Sequence, residues 1–303
     1  MRTLRWSLLN GQLRLQKYLI FWLGVWRVVC KGLGAELRDK RRWKVLVFVP
    51  GLGCSSRARN LATSLRIIFH TKRSLEVSCV VGTYVPWTAL SDASSVNLEQ
   101  QTRNAVAYIT SSCQVQQTLG AHYADFIKSI NPLLVSQAGF SYVVLLLDDV
   151  QLPRSFHFSG FIRKGSIHNL DIFSPAVEGA WQPTTKPSTL EYHLHAQQVV
   201  QSKLIEVFLT AHSVRGWSCY WSCTDPIQLS KGWGTDLLVY NYCREQAVDF
   251  RMGVLQSFVV VHSMALVCRN ASSTQDSRSL SNAAQYQQWK DSDTSGMVRF
   301  HLN

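Results

Sequence analysis

The sequence predicts an α/β domain built on a mostly parallel sheet flanked by helices, and three observations carry that expectation. The first is the run Tyr142-Val143-Val144-Leu145-Leu146-Leu147, apolar throughout and closed by Asp148-Asp149-Val150. Such a run reads as a strand buried on both faces, the habit of parallel sheets covered by helices. The second is Lys44–Pro50, a short apolar strand that runs into Gly51-Leu52-Gly53-Cys54-Ser55-Ser56 and then into Arg57–Phe69, where Leu61, Leu65, Ile68 and Phe69 share one helical face. Strand, glycine turn and helix form the opening unit of nucleotide-binding α/β folds, although the third glycine of the dinucleotide fingerprint and the Gly-Lys-Ser/Thr of a P-loop are both missing. The third is the alternation of strand and helix signals through the first half of the chain.

In order, residues 1–43 come first and belong to a basic stretch, residues 1–73, that holds 16 of the 31 Lys and Arg. The chain has a net charge of +12, and Glu36 and Asp39 are the only acids before residue 74, whereas the remainder is nearly neutral. The apolar run Tyr18–Trp26 is too short for the ~20 residues of a spanning helix but suits the core of a signal anchor behind Arg2, Arg5, Arg14 and Lys17. A basic interfacial helix and an ordinary surface helix are the alternatives. Because this charge lies outside the presumed site, nucleic acid is not the expected partner; an anionic membrane surface fits the segment better.

The folded domain is expected over 44–268. Leu75–Val81 is a second strand, left by the loop Tyr84-Val85-Pro86-Trp87, and 96–131 holds helices, with Tyr123, Phe126, Ile127 and Ile130 at helical spacing. After the central strand and Pro153, a helix is predicted near Phe156–Ile162 and a short strand at Ile172–Ala176. Two strands are read at Tyr192–Val200 and Leu204–Leu209, the second carrying Glu206. A helix follows with Trp217, Tyr220 and Trp221, then Gly232-Trp233-Gly234-Thr235-Asp236 opening another with Leu237, Leu238, Tyr240, Asn241 and Cys243. The last strand, Phe258–Val261, ends in His262-Ser263, and 269–303 is polar enough to be expected disordered. Eight cysteines are scattered without paired CxxC motifs, which argues against structural zinc. Their even number permits disulfides in a secretory compartment, where the Asn270-Ala271-Ser272 sequon would also be usable.

Taken together, the apolar strand with Asp148-Asp149, Phe173-Ser174-Pro175-Ala176, Glu206-Val207-Phe208, Gly232-Trp233-Gly234-Thr235-Asp236 and Val261-His262-Ser263 resemble a family of glycosyltransferase-like proteins with a GT-A type, Rossmann-like nucleotide-sugar-binding fold. The resemblance covers about residues 44–265 and implies a nucleoside diphosphate sugar donor and a glycan or other hydroxyl acceptor. It implies further that Asp149 and His262 approach a divalent metal, Mn²⁺ or Mg²⁺, and that Pro50, Gly51, Gly53, Asp148 and Trp233 hold the nucleotide. Asp236 and Glu206 are its candidate catalytic carboxylates. Oxygen and imidazole donors suit such an ion, and a carboxylate is able to take the acceptor proton.

The sequence departs from the Asp-x-Asp pattern of such enzymes, because Val150 stands in the third position. If the strand continued through the pair, its carboxylates would face opposite sides of the sheet. Two alternatives therefore stand beside a transferase: a non-catalytic binding module of the same fold, and another nucleotide-dependent Rossmann-like enzyme such as an oxidoreductase or methyltransferase. The expected location is the secretory pathway, at the Golgi membrane, with the cytoplasm as the alternative. Since every motif follows residue 44, a chain begun at Arg42 is expected to fold and to keep nucleotide binding, measured by thermal shift. Loss of binding in a folded truncation would contradict it.

Overall fold

The core of the molecule is set by two strands whose side chains are apolar on both faces. The computed structural model describes residues 43–70, 74–84, 86–87, 90, 96–117, 123–180, 185–187, 199–224 and 235–263. The expected signal anchor, the polar tail, the segment Tyr192–Gln198 and Gly232-Trp233-Gly234 lie outside the described residues.

Strand β1 (Trp43–Leu52) pairs in parallel with β4 (Tyr142–Leu146), matching Val45 with Tyr142 through Phe48 with Leu145. Successive strand residues face opposite sides. Val45, Val47, Val49, Tyr142, Val144 and Leu146 therefore enter one core, and Leu46, Phe48, Val143 and Leu145 enter the other. The first core is closed by α1 (Ser55–His70) through Leu61, Leu65 and Ile68, by α2 (Val96–Ser112), and by α5 (Phe158–Ile167) through Phe158 and Phe161. The second is closed by α3 (Tyr123–Ser129), α4 (Pro132–Gln137), α6 (Val214–Cys223) and α7 (Thr235–Gln246), which contribute Phe126, Val135, Trp217, Tyr220 and Val239.

The remaining strands are β2 (Leu75–Thr83), β3 (Gln114–Gln117), β5 (Val150–Gln151), β6 (Ile172–Glu178), β7 (Val199–Gln201), β8 (Leu209–Ser213) and β9 (Met252–His262). Their order is β3-β2-β1-β4-β8-β6-β9-β5, with β7 on β9. β1, β2, β3, β4, β6 and β9 run in one direction, and β5, β7 and β8 run against them. The expected α/β architecture is present, with a mixed but mostly parallel sheet between helices.

Three local differences from the sequence reading have physical causes. The central strand stops at Leu146; Val150 N–H returns to the Leu147 carbonyl at 3.3 Å, so Asp148 and Asp149 stand in a turn and not in the strand. No strand forms over 204–208. There Ser202 Oγ accepts the Leu204 amide at 3.1 Å, a local bond that competes with a ladder. Strand β9 begins six residues earlier than Phe258, because its polar Gln256-Ser257 is accommodated where the register against β6 shifts.

Among the described residues, the disulfides Cys79–Cys113, between β2 and the end of α2, and Cys219–Cys243, between α6 and α7, tie the periphery. At the amino end of β6, buried Asp171 accepts bonds from Arg215 Nε (2.8 Å) and Nη2 (2.7 Å), Ser213 Oγ (3.2 Å) and the Arg251 amide (3.0 Å). Arg215 is half-exposed, so solvent weakens the pair, yet the other donors would lose their acceptor. Asp171→Ala is expected to lower unfolding stability by about 2–3 kcal/mol in urea titration. An unchanged midpoint would show that the clamp is dispensable.

Candidate functional site

Parallel strands bring their carboxyl ends to one edge of the sheet, where open α/β sheets place their ligands. Here that edge collects Gly53 after β1, Tyr84 after β2, Asp148 and Asp149 after β4, Gly179 after β6 and His262 at the end of β9. Strand β8 runs the other way, so Glu206 and Phe208 precede it at the same edge.

The acidic turn is clamped from two sides. Arg57, Asn60 and Ser64 fall three and four residues apart on one face of α1. Arg57 Nη1 donates to Asp148 Oδ1 at 2.8 Å, and Nη2 lies 3.3 Å from Asp149 Oδ2. Asn60 Nδ2 donates to the carbonyls of Asp148 (2.8 Å) and Val150 (2.9 Å), and Ser64 Oγ donates to Val150 O at 3.2 Å. From the other side, Val150 pairs with His262, and the Ser263 amide donates to Asp149 O at 3.0 Å.

The turn gives its two carboxylates different surroundings. Asp148 is 4% exposed and is held by Arg57 and, at 3.3 Å, by the Gly53 amide. Burial pushes its pKa up to about 7 against the opposing pull of Arg57, with the neighbouring charge of Asp149 adding to the rise. Burial also acts on Asp149, but the contact from His262 and the charge of Arg57 outweigh it and hold that carboxyl below the usual range. His262 Nε2 lies 3.5 Å from Asp149 Oδ2, and the imidazole stacks on Phe208 with centroids 4.0 Å apart. Gly179, at φ 85°, passes beneath it; a Cβ there would stand 2.8 Å from the His262 carbonyl oxygen.

The other sequence-predicted residues are spread around this centre. Pro50 and Gly51 belong to β1 and are buried, so the turn itself starts at Gly53. Tyr84, at the start of the expected loop after β2, lays its ring over Gly51, where a Cβ would come within 2.0 Å of it. Burial and the Asp148 charge keep its phenol neutral far above the usual range. Glu206 is buried and accepts a 2.6 Å bond from Thr185 Oγ1. Asp236 is in the first turn of α7, close enough that its charge raises the pKa of both Tyr123 and Tyr220, whose hydroxyls share a 2.8 Å hydrogen bond. Trp233 lies outside the described residues. Arg57 was missed because, in sequence, it is one of many basic residues near the amino terminus; its spacing from Asn60 and Ser64 was the available signal.

A divalent ion is the group the resemblance implies. Among the described residues no cluster of three His, Cys, Asp or Glu side chains converges. Asp149 and His262 nevertheless fit one: they offer an oxygen and a nitrogen donor side by side, and Asp149 Oδ1 is buried with no hydrogen-bond partner among the described residues. Ions of this type commonly take one or two protein ligands and complete their shell with phosphate and water.

Fold and edge define an α/β protein with an acidic, histidine-bearing site at the carboxyl ends of its parallel strands. Residues 122–301 match the family model described as "Protein of unknown function (DUF707)", and the chain belongs to that family. No curated protein matches the chain by sequence. Among solved structures it is similar to S. aureus TarS, at 14% identity over 74% of this chain and 37% of that one, with a TM-score of 0.44. It is also similar to GalNAc-T7 solved with UDP, GalNAc and Mn²⁺, at 11% identity over 74% and 44%, with a TM-score of 0.47. The chain thus spans less than half the length of either.

The pKa of Asp148 has a testable consequence. The folded protein keeps this proton up to about pH 7 and the unfolded chain releases it near pH 4, so the contribution of Asp148 favours folding at low pH and is lost as pH rises from 4 to 7. Asp149 acts in the opposite sense, stabilising above the usual carboxyl pKa. Asp148→Asn is expected to raise Tm by roughly 5–10 °C more at pH 8 than at pH 5. An equal effect at both pH values would contradict the assignment.

Proposed function

We propose that this chain is a glycosyltransferase that moves a sugar from a nucleoside diphosphate sugar to a hydroxyl acceptor. The observation that carries the reading is the convergence of Asp149, His262 and Arg57 beside the Gly53 turn, at the edge where strand ends and the start of α1 come together. That edge suits a diphosphate: the amino end of a 16-residue helix carries partial positive charge and points its first amides outward. The order of motifs from Asp148 to His262, with its resemblance to GT-A type proteins, supports the same reading.

In this reading Asp149 and His262 hold the divalent ion, Mn²⁺ or Mg²⁺, which when bound offsets the charge that grows on the departing diphosphate. Phe208 keeps the imidazole in plane, and the backbone pairing of Val150 with His262 keeps it next to the carboxylate. Tyr84 closes the strand end beside the nucleotide, over Gly51. Asp236 is the acceptor-side base. It stands in the first turn of α7, and the Tyr123–Tyr220 pair lies within range of its charge. Glu206, buried against Thr185, is the other candidate catalytic carboxylate and orients the loop that leads into Phe208.

The disulfides Cys79–Cys113 and Cys219–Cys243 support a location in an oxidising compartment, which accords with the secretory pathway and membrane attachment through residues 1–43. Asp236→Asn is expected to leave nucleoside diphosphate affinity nearly unchanged while lowering transfer about 10²–10⁴-fold, the mark of an interaction made in the transition state. The measurement is donor turnover by purified protein over a panel of nucleoside diphosphate sugars. Weakened donor binding with turnover preserved at saturation would move Asp236 to the donor side. Binding without turnover of any donor would favour the non-catalytic module.

A further inference from the structure

The contacts of Arg57 with the two carboxylates of the turn are of unequal quality. Its Nη1 meets Asp148 Oδ1 at 2.8 Å, a normal charge-assisted bond to a carboxylate already out of water, whereas Nη2 reaches Asp149 Oδ2 only at 3.3 Å. Asp148 has a second donor in the Gly53 amide, and both of its oxygens are engaged. Asp149 differs: its Oδ2 is approached by Arg57 and by His262, and its Oδ1 is buried with no hydrogen-bond partner among the described residues.

Charge decides what this inequality means. An adjacent acidic pair without a third acid would present a cation with two equivalent carboxylates on a narrow turn, and burying both unpaired is strongly unfavourable. Committing Asp148 to the guanidinium neutralises one of them locally. What the turn still offers to the edge is the Asp149 carboxylate, with the His262 imidazole beside it, the donor set of the proposed cation site.

Resting on the glycosyltransferase reading above, we propose that Arg57 is the positioning residue of this site. It withdraws Asp148 into a close contact with the guanidinium and holds Asp149 through a weaker contact that a divalent ion displaces. The guanidinium and the ion therefore compete for Asp149. Arg57 explains why an adjacent Asp-Asp pair serves where Asp-x-Asp is expected: the fold uses one acid for the ion and the other for the arginine.

The test is binding of Mn²⁺ alone, followed by electron paramagnetic resonance of the free ion, to the full chain and to Arg57→Gln, Arg57→Lys and Asp149→Asn. Removing a positive charge about 5 Å from a divalent ion favours the ion by at least about tenfold even at the dielectric of water. Arg57→Gln is thus expected to bind Mn²⁺ at least about tenfold more tightly than the parent. Arg57→Lys, which keeps the charge but not the fork, should fall between them, and Asp149→Asn should lose the site. A merely structural role predicts the reverse, because a loosened turn binds the ion more weakly.

Unchanged or weakened Mn²⁺ affinity in Arg57→Gln, in a protein that still melts cooperatively, overturns the proposal. So does retention of the ion by Asp149→Asn. Failure of the underlying reading shows separately: no thermal shift of the parent with any nucleoside diphosphate, with or without Mn²⁺, removes the donor site itself.

Discussion

The ion pair between Arg57 and the turn Asp148-Asp149 is the interaction on which the carboxyl edge depends. Two carboxylates on a turn with little solvent access repel one another and lose hydration, so a turn of this composition persists only where fixed donors meet it. Helix α1 supplies them from one face, with Arg57 on the side chains and Asn60 and Ser64 on the carbonyls. The adjoining face of the same helix carries Leu61, Leu65 and Ile68 into the core. One helix therefore anchors the sheet and neutralises its edge, and its placement after the Gly53 turn is what brings both faces to bear.

The turn in turn positions the rest. Because β4 stops at Leu146, the chain reverses into β5, and β5 pairs antiparallel with the end of β9. That pairing sets His262 beside Asp149, while Phe208, at the entry to β8, fixes the plane of the ring. Had the strand run on through Asp148 and Asp149, the alternation of side chains would have sent the two carboxylates to opposite faces. As a turn, the pair stays on one edge and its members divide, one toward the helix and one toward the histidine.

Much of this was legible in the sequence, for physical reasons that also mark where legibility ends. Val143–Leu146 announced a doubly covered strand because burial on both faces leaves no polar alternation, and the adjacent acids announced its end. His262 was legible in the same way, as a polar residue closing an apolar strand. The antiparallel β8 between β4 and β6 was not, since strand direction is a property of connections and not of local composition. Arg57 and Tyr84 escaped for a related reason. Their partners, Asp148 and Gly51, are distant in the chain, and neither residue stands out among its neighbours. The predicted strand at Leu204–Leu209 failed on one short-range bond, Ser202 to the Leu204 amide, which apolar patterning does not register.

The central claim is that the edge formed by Arg57, Asp149 and His262 receives the diphosphate of a nucleotide sugar. It is tested most directly by a crystal structure of the chain grown with Mn²⁺ and a nucleoside diphosphate. The account predicts the diphosphate at the start of α1, with the ion on Asp149 and His262 and with Arg57 still bonded to Asp148. A nucleotide bound elsewhere on the molecule, or an ion ligated by Asp148 with Arg57 turned away from it, would contradict the account.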